Sequence, residues 1–434
     1  MPAGRIPVAG EYDIVVAGGG PAGIAAAIAA AREGARTILV EQLAFPGGLA
    51  AAGLIGTFMD TPGGSIFDEI VGELTGIGAA RTMPNGRIPY DYEAFKLVAL
   101  DHLRKAGADV LVMTWVEGAY QPNGRPEGLI VCNKGGRSVI LGRVLVDATG
   151  DGDIAASTGA RFEKGHPDNG RMQHISFRYK LEGVKPGAAE VIRNDAEAMD
   201  RVMALARRAR ECGELAPPAN LEPPPENFPF YDDGSLLGRQ ISIRNVDGTD
   251  PFAVSRTLAE CALSAHQIVK FCRKNMKGFE NCRLANTQAL LGVRETRRIM
   301  GRYRLSADDV LAGRKFEDGI ARASFFLDLH DTPFGEPMPF SKEYKKRARP
   351  PTGDWYEIPY RCLVPDGVTG LLVAGRCISS DRDANGSLRV IPTCMFTGEA
   401  AGVAAAMATA DGSKVEELDG KAVRARLIEC GCTL

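Results

Sequence analysis

One segment near the front constrains the fold of this chain more than any other. It reads YDIVVAGGGPAGIAAAIAAAREGARTILVEQ, from Tyr12 to Gln42. DIVVA is a short apolar run rich in β-branched residues, as expected of a strand buried on both faces. Gly18, Gly20 and Gly23 follow in the spacing G-x-G-x-x-G, with Pro21 and Ala22 between them. Gly18 permits a tight turn, Gly20 lets a pyrophosphate approach the backbone, and Gly23 lets the next helix pack against the strand. The Ala-rich run that follows predicts a helix closed at Gly34, and TILVE predicts a second strand. That strand ends on Glu41, placed to accept hydrogen bonds from a ribose hydroxyl; an acid there disfavours a 2′-phosphate. Strand, glycines, helix, strand and acid in this order predict a dinucleotide-binding βαβ unit.

The rest of the chain bounds what surrounds that unit. At 434 residues it is too long for one small core, so more than one domain is expected. Lys+Arg 52 against Asp+Glu 54 leaves a formal charge of -2, which argues against a whole-surface field for nucleic acid or membranes. The first residues show no basic region followed by a long apolar run, and no stretch is long enough to span a bilayer. The reading is a cytoplasmic protein without a signal peptide. The 10 cysteines are scattered with no C-x-x-C, which points to reduced thiols and to no metal site. Cys430 and Cys432 form the one close pair, and it lacks further ligands.

Further glycine-rich turns favour FAD over NAD as the dinucleotide. FPGGLAAAGLIG brings Gly47, Gly48 and Gly53, suited to backbone passing close to an extended ligand. VLVDATGDGDIAASTG reads as strand, turn and helix, with Ala148, Gly150 and Asp151 in the turn. LLVAG, Leu371 to Gly375, is another strand ending in glycine, followed by Arg376. TGEAAGVAAAMA is expected to be a helix starting at Gly398 and containing Ala401. Its N-terminal dipole would face the pyrimidine end of a flavin.

On these motifs the chain resembles the FAD-dependent oxidoreductases of the glutathione-reductase-like two-domain fold. It looks most like the branch related to the heterodisulfide reductase flavoprotein and, distantly, to fumarate reductase flavoproteins. The matching stretches include LVEQLAFPGGLAAAG, VDATGDGDIAASTGARFEKG, LLGVRETRRIMG, FLDLHD, YEIPYRCLVP and LLVAGRCISSDRDANGSLRVIPTCMFTGEAAGVAAA. The resemblance implies an α/β protein, with a Rossmann-like FAD-binding domain of glutathione-reductase type and an inserted α+β substrate domain. The FAD domain would comprise residues 1–165 and 356–434, and the substrate domain 166–355. Two departures stand out. No cysteine cluster could ligate an iron–sulfur centre. No cysteine pair follows the first glycine motif and no second G-x-G-x-x-G occurs, which disfavours disulfide-reductase chemistry.

In the middle, MQHISFRYKLEGV alternates and predicts a strand with Met172, His174, Ser176 and Arg178 on one face. NLEPPPENFPFYDDGS is expected to be a loop. Asp250 and Pro251 predict the start of a long helix ending before Gly278, and Ser306 with Asp309 have capping-box spacing. FSKEYKKRARPPTGD reads as a solvated loop. No internal repeat is present.

Flavin would carry the hard chemistry, so the search is for groups able to sit near its ring. His330, with Asp328 nearby, is the first candidate for acid/base work, and this pair matches the family pattern. His174, on the predicted strand, is a second candidate. Arg389 could balance a reduced flavin's charge, against the alternative of a salt bridge fixing its loop. Cys394 reads as packing, and His102 and His266 as surface or interface residues. In LGVRETRRIMGRYRLS, Ile299 to Leu305 is expected to continue as a strand with Arg302 and Arg304 in solvent. Arg294, Arg297 and Arg298 are candidates for holding a substrate anion, with Arg297 foremost, against internal pairing with Glu295.

The expected function is that of an FAD-dependent oxidoreductase moving a hydride between a small organic, anionic substrate and noncovalent FAD. The electron acceptor and oligomeric state stay open. The alternative is a flavin monooxygenase using NAD(P)H and O2. A third reading, from a different class, is an RNA-associated flavoprotein using the basic middle of the chain.

Overall fold

A computed structural model describes residues 6–59, 64–218, 226–227, 234–238, 241–330 and 342–434. The predicted βαβ unit is present. Strand β1 (Val8–Ala17) leads through the glycines into α1 (Pro21–Arg32), and β2 (Thr37–Val40) returns parallel to β1, with Ile14 opposite Thr37 and Ala17 opposite Val40. The last four residues of β1 and all of β2 are buried, which is why the run carries no polar alternation. Gly34, with φ +87°, ends the turn after α1.

A second helix, α2 (Tyr92–Ala106), is capped by Asp91 and ends on left-handed Gly107. It is followed by β3 (Asp109–Leu111), β4 (Trp115–Tyr120), β5 (Gly128–Asn133) and the long β6 (Gly136–Asp147). These strands build a 7-stranded sheet in the order β3-β2-β1-β6-β5-β4, with β11 (Leu371–Val373) on the second half of β6. Strands β1, β2, β3, β6 and β11 run parallel, while β4 and β5 form antiparallel pairs. The sheet is therefore assembled from the front of the chain and one strand near its end.

Smaller elements complete this first unit: β7 (Phe162–Lys164) pairs with β8 (Arg297–Ile299), and β9 (Gly319–Ala323) with β10 (Tyr356–Pro359). Helix α3 (Arg382–Leu388) precedes α4 (Ile391–Asp411), and most residues of both are buried. Among the described residues no single helix is long and apolar enough to cross a membrane.

The chain divides into two compact units. The first comprises Met1–Ala51, Thr57–Arg171 and Glu295–Leu434; the second comprises Ala52–Gly56 and Met172–Arg294. The expected insert, 166–355, is longer than the second unit, because residues 295–355 pack with the first.

In the second unit the helix Pro251–Asn275 has Asp250 as N-cap, accepting from Phe252 N and Ala253 N, with Pro251 at its first position. The expected strand around 172–184 is broken. Ile175–Phe177 pairs with Ile241–Ile243, whereas Tyr179–Glu182 pairs with Arg283–Thr287. Between them Arg178 N donates to the Gln288 side chain at 2.9 Å, so ladder pairing changes partners there. Met172 and His174 lie ahead of the strand. Most of the Pro-rich stretch 220–235 falls outside the described residues.

Other expectations need correction. The predicted strand over 299–305 stops at Ile299, and Gly301 and Leu305 make single bridges to Pro365 and Ser380. The basic segment after Ser341 is not all loop: Lys342–Arg347 is a short helix, tethered by Tyr344, whose hydroxyl donates to Leu327 O at 2.9 Å. His102 is buried and bonded to Glu73 at 2.9 Å rather than facing solvent. His266 is exposed. The capping box of Ser306 and Asp309 forms.

Candidate functional site

The glycines at the front divide by what surrounds them. Gly18 has φ +94°, and a β-carbon there would meet Ala148 O at 2.6 Å. At Gly23 a β-carbon would fall 1.8 Å from Gly18 O, so α1 rests directly on the loop. Gly20 is different: the nearest atom to its would-be β-carbon is Gly48 Cα at 4.0 Å. Gly20 thus opens onto free space at the start of α1, which has Gly20 as N-cap, Pro21 next and no side-chain cap. The first-turn amides of Ala22 and Gly23 have no intrahelical acceptor, and such a terminus suits a phosphate. Gly47 donates to Gly19 O at 2.7 Å, bringing the Gly47–Gly48 turn over the same opening.

Glu41 lies just after β2 and is buried. Its Oε2 accepts from Gly19 N at 2.6 Å and its Oε1 from Leu43 N at 2.7 Å. Each oxygen keeps a further lone pair for a hydroxyl donor. Burial raises its pKa, and the two backbone N–H bonds oppose that rise.

At the other end of the site, Asp147 is buried at the tip of β6. It accepts from Thr149 and from Ala155 N, folding the turn that carries Ala148, Gly150 and Asp151. Asp151 Oδ1 accepts from Arg376 Nη2 at 2.7 Å, and Arg376 Nε donates to Gly150 O at 2.8 Å. Gly375, with φ +82°, donates to Thr397 Oγ1 at 3.1 Å.

The helix after this turn starts earlier than the sequence predicts. Helix α4 begins at Ile391 with Val390 as N-cap, and Pro392 sits harmlessly in its first turn. Gly398 is in its interior, where a β-carbon would lie 2.0 Å from Ala22 O; at Gly402 one would lie 2.2 Å from Ala26 O. Gly398 and Gly402 are therefore packing residues that let α4 run parallel and close to α1, and Ala401 is buried within the same helix. Gly398 lies level with Ala22, so the start of α4 at Ile391 extends about 9 Å beyond that of α1 at Pro21, at 1.5 Å per residue.

Two uncapped helix starts, staggered by that length, fit a phosphate at one and a flavin ring at the other. One orphaned group supports the fit. Thr393 Oγ1, in the first turn of α4, is fully buried and has no hydrogen-bond partner among the described residues. The sequence reading missed Thr393; its signal was a Pro-Thr pair that begins a helix. Cys394 packs in the same turn, where burial pushes its thiol up to about 12. Among the described residues no group of His, Cys, Asp and Glu is placed to hold a metal.

Beside this start stands a polar group centred on Asp328. His330 Nε2 lies 3.1 Å from Asp328 Oδ1 and 3.2 Å from Oδ2. Arg389 Nη2 donates to Asp328 O at 2.7 Å and lies 3.4 Å from Oδ2. Gly386 makes room, since a β-carbon there would meet Asp328 N at 3.0 Å, and Ser387 Oγ donates to Phe325 O at 2.6 Å. Segment 325–330 is thereby laid along α3. Burial lowers the pKa of Arg389, and the Asp328 carboxylate opposes that shift.

The sequence of the chain matches the family model described as FAD dependent oxidoreductase over residues 13–427. The chain belongs to this FAD-dependent oxidoreductase family. It is an FAD enzyme, and the cradle just described is where its residues fit FAD. No curated protein sequence matches it. Among solved structures it is similar to p-nitrophenol 4-monooxygenase from Pseudomonas putida, at 11% identity and TM-score 0.50, covering 97% of this chain and 86% of that one. It is also similar to a geranylgeranyl bacteriochlorophyll reductase-like protein from Thermoplasma acidophilum, at 12% identity and TM-score 0.47, covering 97% and 84%. At such identities the first of these speaks to the fold alone.

His174 belongs to the second unit, is buried, and accepts from the Arg294 guanidinium through its carbonyl. Arg297 donates to Asp151 O at 3.0 Å and pairs with Asp153 at 2.8 Å. Arg298 is buried, with Gly165 O at 3.1 Å and Glu295 at 3.5 Å. Arg302 and Arg304 are exposed as expected, yet Arg302 donates to Glu416 O and Arg304 pairs with Glu163 at 2.6 Å. All five arginines of this run thus have partners within the chain.

Proposed function

We propose that this FAD enzyme transfers a hydride between a small organic acid and noncovalently held FAD, with His330 moving the accompanying proton. The observation carrying this reading is that Asp328 joins His330 and Arg389 beside the start of α4. Bound FAD supplies the two-electron acceptor or donor. In the oxidising direction the substrate hydrogen would leave its carbon with the bonding pair and go to the flavin, and the remaining O–H or C–H proton would pass to His330 Nδ1, because Nε2 faces Asp328. Asp328 orients the imidazole and favours its charged form once the proton arrives. Arg389 and the free amides at the start of α4 favour negative charge in the space they border.

The internal partners of Arg294, Arg297 and Arg298 support leaving them out of substrate binding. The partners of all five arginines also support a reading without a nucleic-acid partner. An electron acceptor or donor, left unassigned, completes the cycle. The test is an anaerobic screen of flavin bleaching against carboxylates, alcohols and unsaturated acids. Bleaching by one of these without a nicotinamide supports the proposal. Bleaching by NADH or NADPH alone, with O2 uptake coupled to hydroxylation, assigns a monooxygenase instead.

A further inference from the structure

The residues RET at 294–296 stand where the chain leaves the second unit and re-enters the first. Glu295 is 2% exposed, and its carboxylate lies between two equally buried guanidiniums. Arg382 Nε is 3.2 Å from Oε2 and Arg298 Nη1 is 3.5 Å from the same oxygen. Its neighbour Thr296 is also buried and donates from Oγ1 to Asp151 Oδ1 at 2.5 Å. That oxygen takes Arg376 Nη2, and the Arg376 carbonyl accepts from Asn385 Nδ2 at 2.8 Å. Asn385 and Arg382 are one turn apart on α3, so the connections close into a ring. The ring runs Glu295, Thr296, Asp151, Arg376, Asn385, Arg382 and back to Glu295. It ties together the two turns, 150–151 and 375–376, that border the FAD cradle but are more than two hundred residues apart in sequence.

A buried carboxylate between arginines is a poor source of net stability. Desolvating the charges costs about as much as their attraction returns, and well-packed apolar residues would serve as well or better. What such a group supplies is one fixed arrangement of its partners. We propose that Glu295 and Thr296 are positioning residues for FAD. They fix the spacing of the 150–151 and 375–376 turns, and the buried Glu295 charge contributes to the electrostatic field in which the flavin is reduced. The inference rests on the FAD cradle and is independent of the roles given to Asp328 and His330.

The experiment compares wild type, Thr296→Val, Glu295→Gln and the surface control Arg304→Gln. Each is measured for FAD dissociation constant, visible flavin spectrum, flavin midpoint potential and melting of the apoprotein. Thr296→Val removes one hydrogen bond without stranding a buried charge. It is expected to weaken FAD binding about tenfold, equivalent to about 1.4 kcal/mol. The flavin band should shift while apoprotein melting stays near wild type. Glu295→Gln is expected to weaken binding further and to raise the midpoint potential, since removing a buried negative charge favours the negatively charged reduced flavin. Arg304→Gln should change none of these. Wild-type affinity, spectrum and potential in Thr296→Val overturn the proposal whatever happens to Glu295→Gln, and would make the ring a brace of the fold alone. Failure of wild type itself to bind FAD would overturn this inference together with the cofactor assignment.

Discussion

Arg389 donates to the backbone carbonyl of Asp328 at 2.7 Å, one residue before the N-cap of the buried helix Ile391–Asp411. Two residues from that carbonyl, His330 contacts the Asp328 carboxylate. An aspartate thus serves a guanidinium and an imidazole at once, at the place where a helix dipole is left uncapped.

Replacing Asp328 by Asn keeps its shape and its carbonyl but removes the charge facing buried Arg389. The loss expected is about 1–3 kcal/mol, the range for leaving a buried polar partner incompletely satisfied. Urea unfolding of the apoprotein measures it. Unchanged stability would mean that the carbonyl alone holds Arg389.

Gly398→Ala tests how closely α4 and α1 pack. The added carbon must displace the Ala22 carbonyl, which belongs to the same first turn that borders the cradle. Overpacking of this kind costs about 1–3 kcal/mol. Both the melting temperature and FAD retention should fall. The same change at Gly34, whose would-be β-carbon meets nothing within 4 Å, should leave FAD retention intact.

Glu41 links FAD affinity to pH. Burial raises its pKa in the folded chain. Its protonated form is therefore favoured by folding, and its own contribution to stability diminishes as pH rises through the raised pKa. Accepting a ribose hydroxyl while holding Gly19 N and Leu43 N calls for the ionised form, so FAD binding should strengthen over the same rise. Titrating FAD affinity against pH should show this step above the ordinary carboxylate range, and Glu41→Gln should abolish it with weaker binding throughout.

The front of the site was legible because its signals are local. The spacing of Gly18, Gly20 and Gly23 between two apolar strands lies within one supersecondary unit, and each glycine has the surroundings expected of it. The start of α4 lies seven positions before the expected Gly398, and Pro392 is accommodated because proline is tolerated in a first turn. Gly398 then looked like a beginning when it is a contact with α1. The arginines were harder to read, because their partners are distant in sequence: Asp151 for Arg297, Glu163 for Arg304 and Glu416 for Arg302. His102 was misread for the same reason, since its partner Glu73 lies on another helix. Alternation around 175–182 hid a change of strand partner at Arg178, which only the fold decides.

The central claim is that His330 moves the proton that accompanies hydride transfer at bound FAD. Its most direct test is the anaerobic reductive half-reaction of wild type and His330→Gln, using the organic acid or alcohol that bleaches the wild-type flavin. Removing a general acid/base group should slow bleaching by about 10²–10⁴-fold, with FAD affinity and spectrum unchanged. Equal bleaching rates in the two proteins, or a flavin reduced by nicotinamide alone, would contradict it.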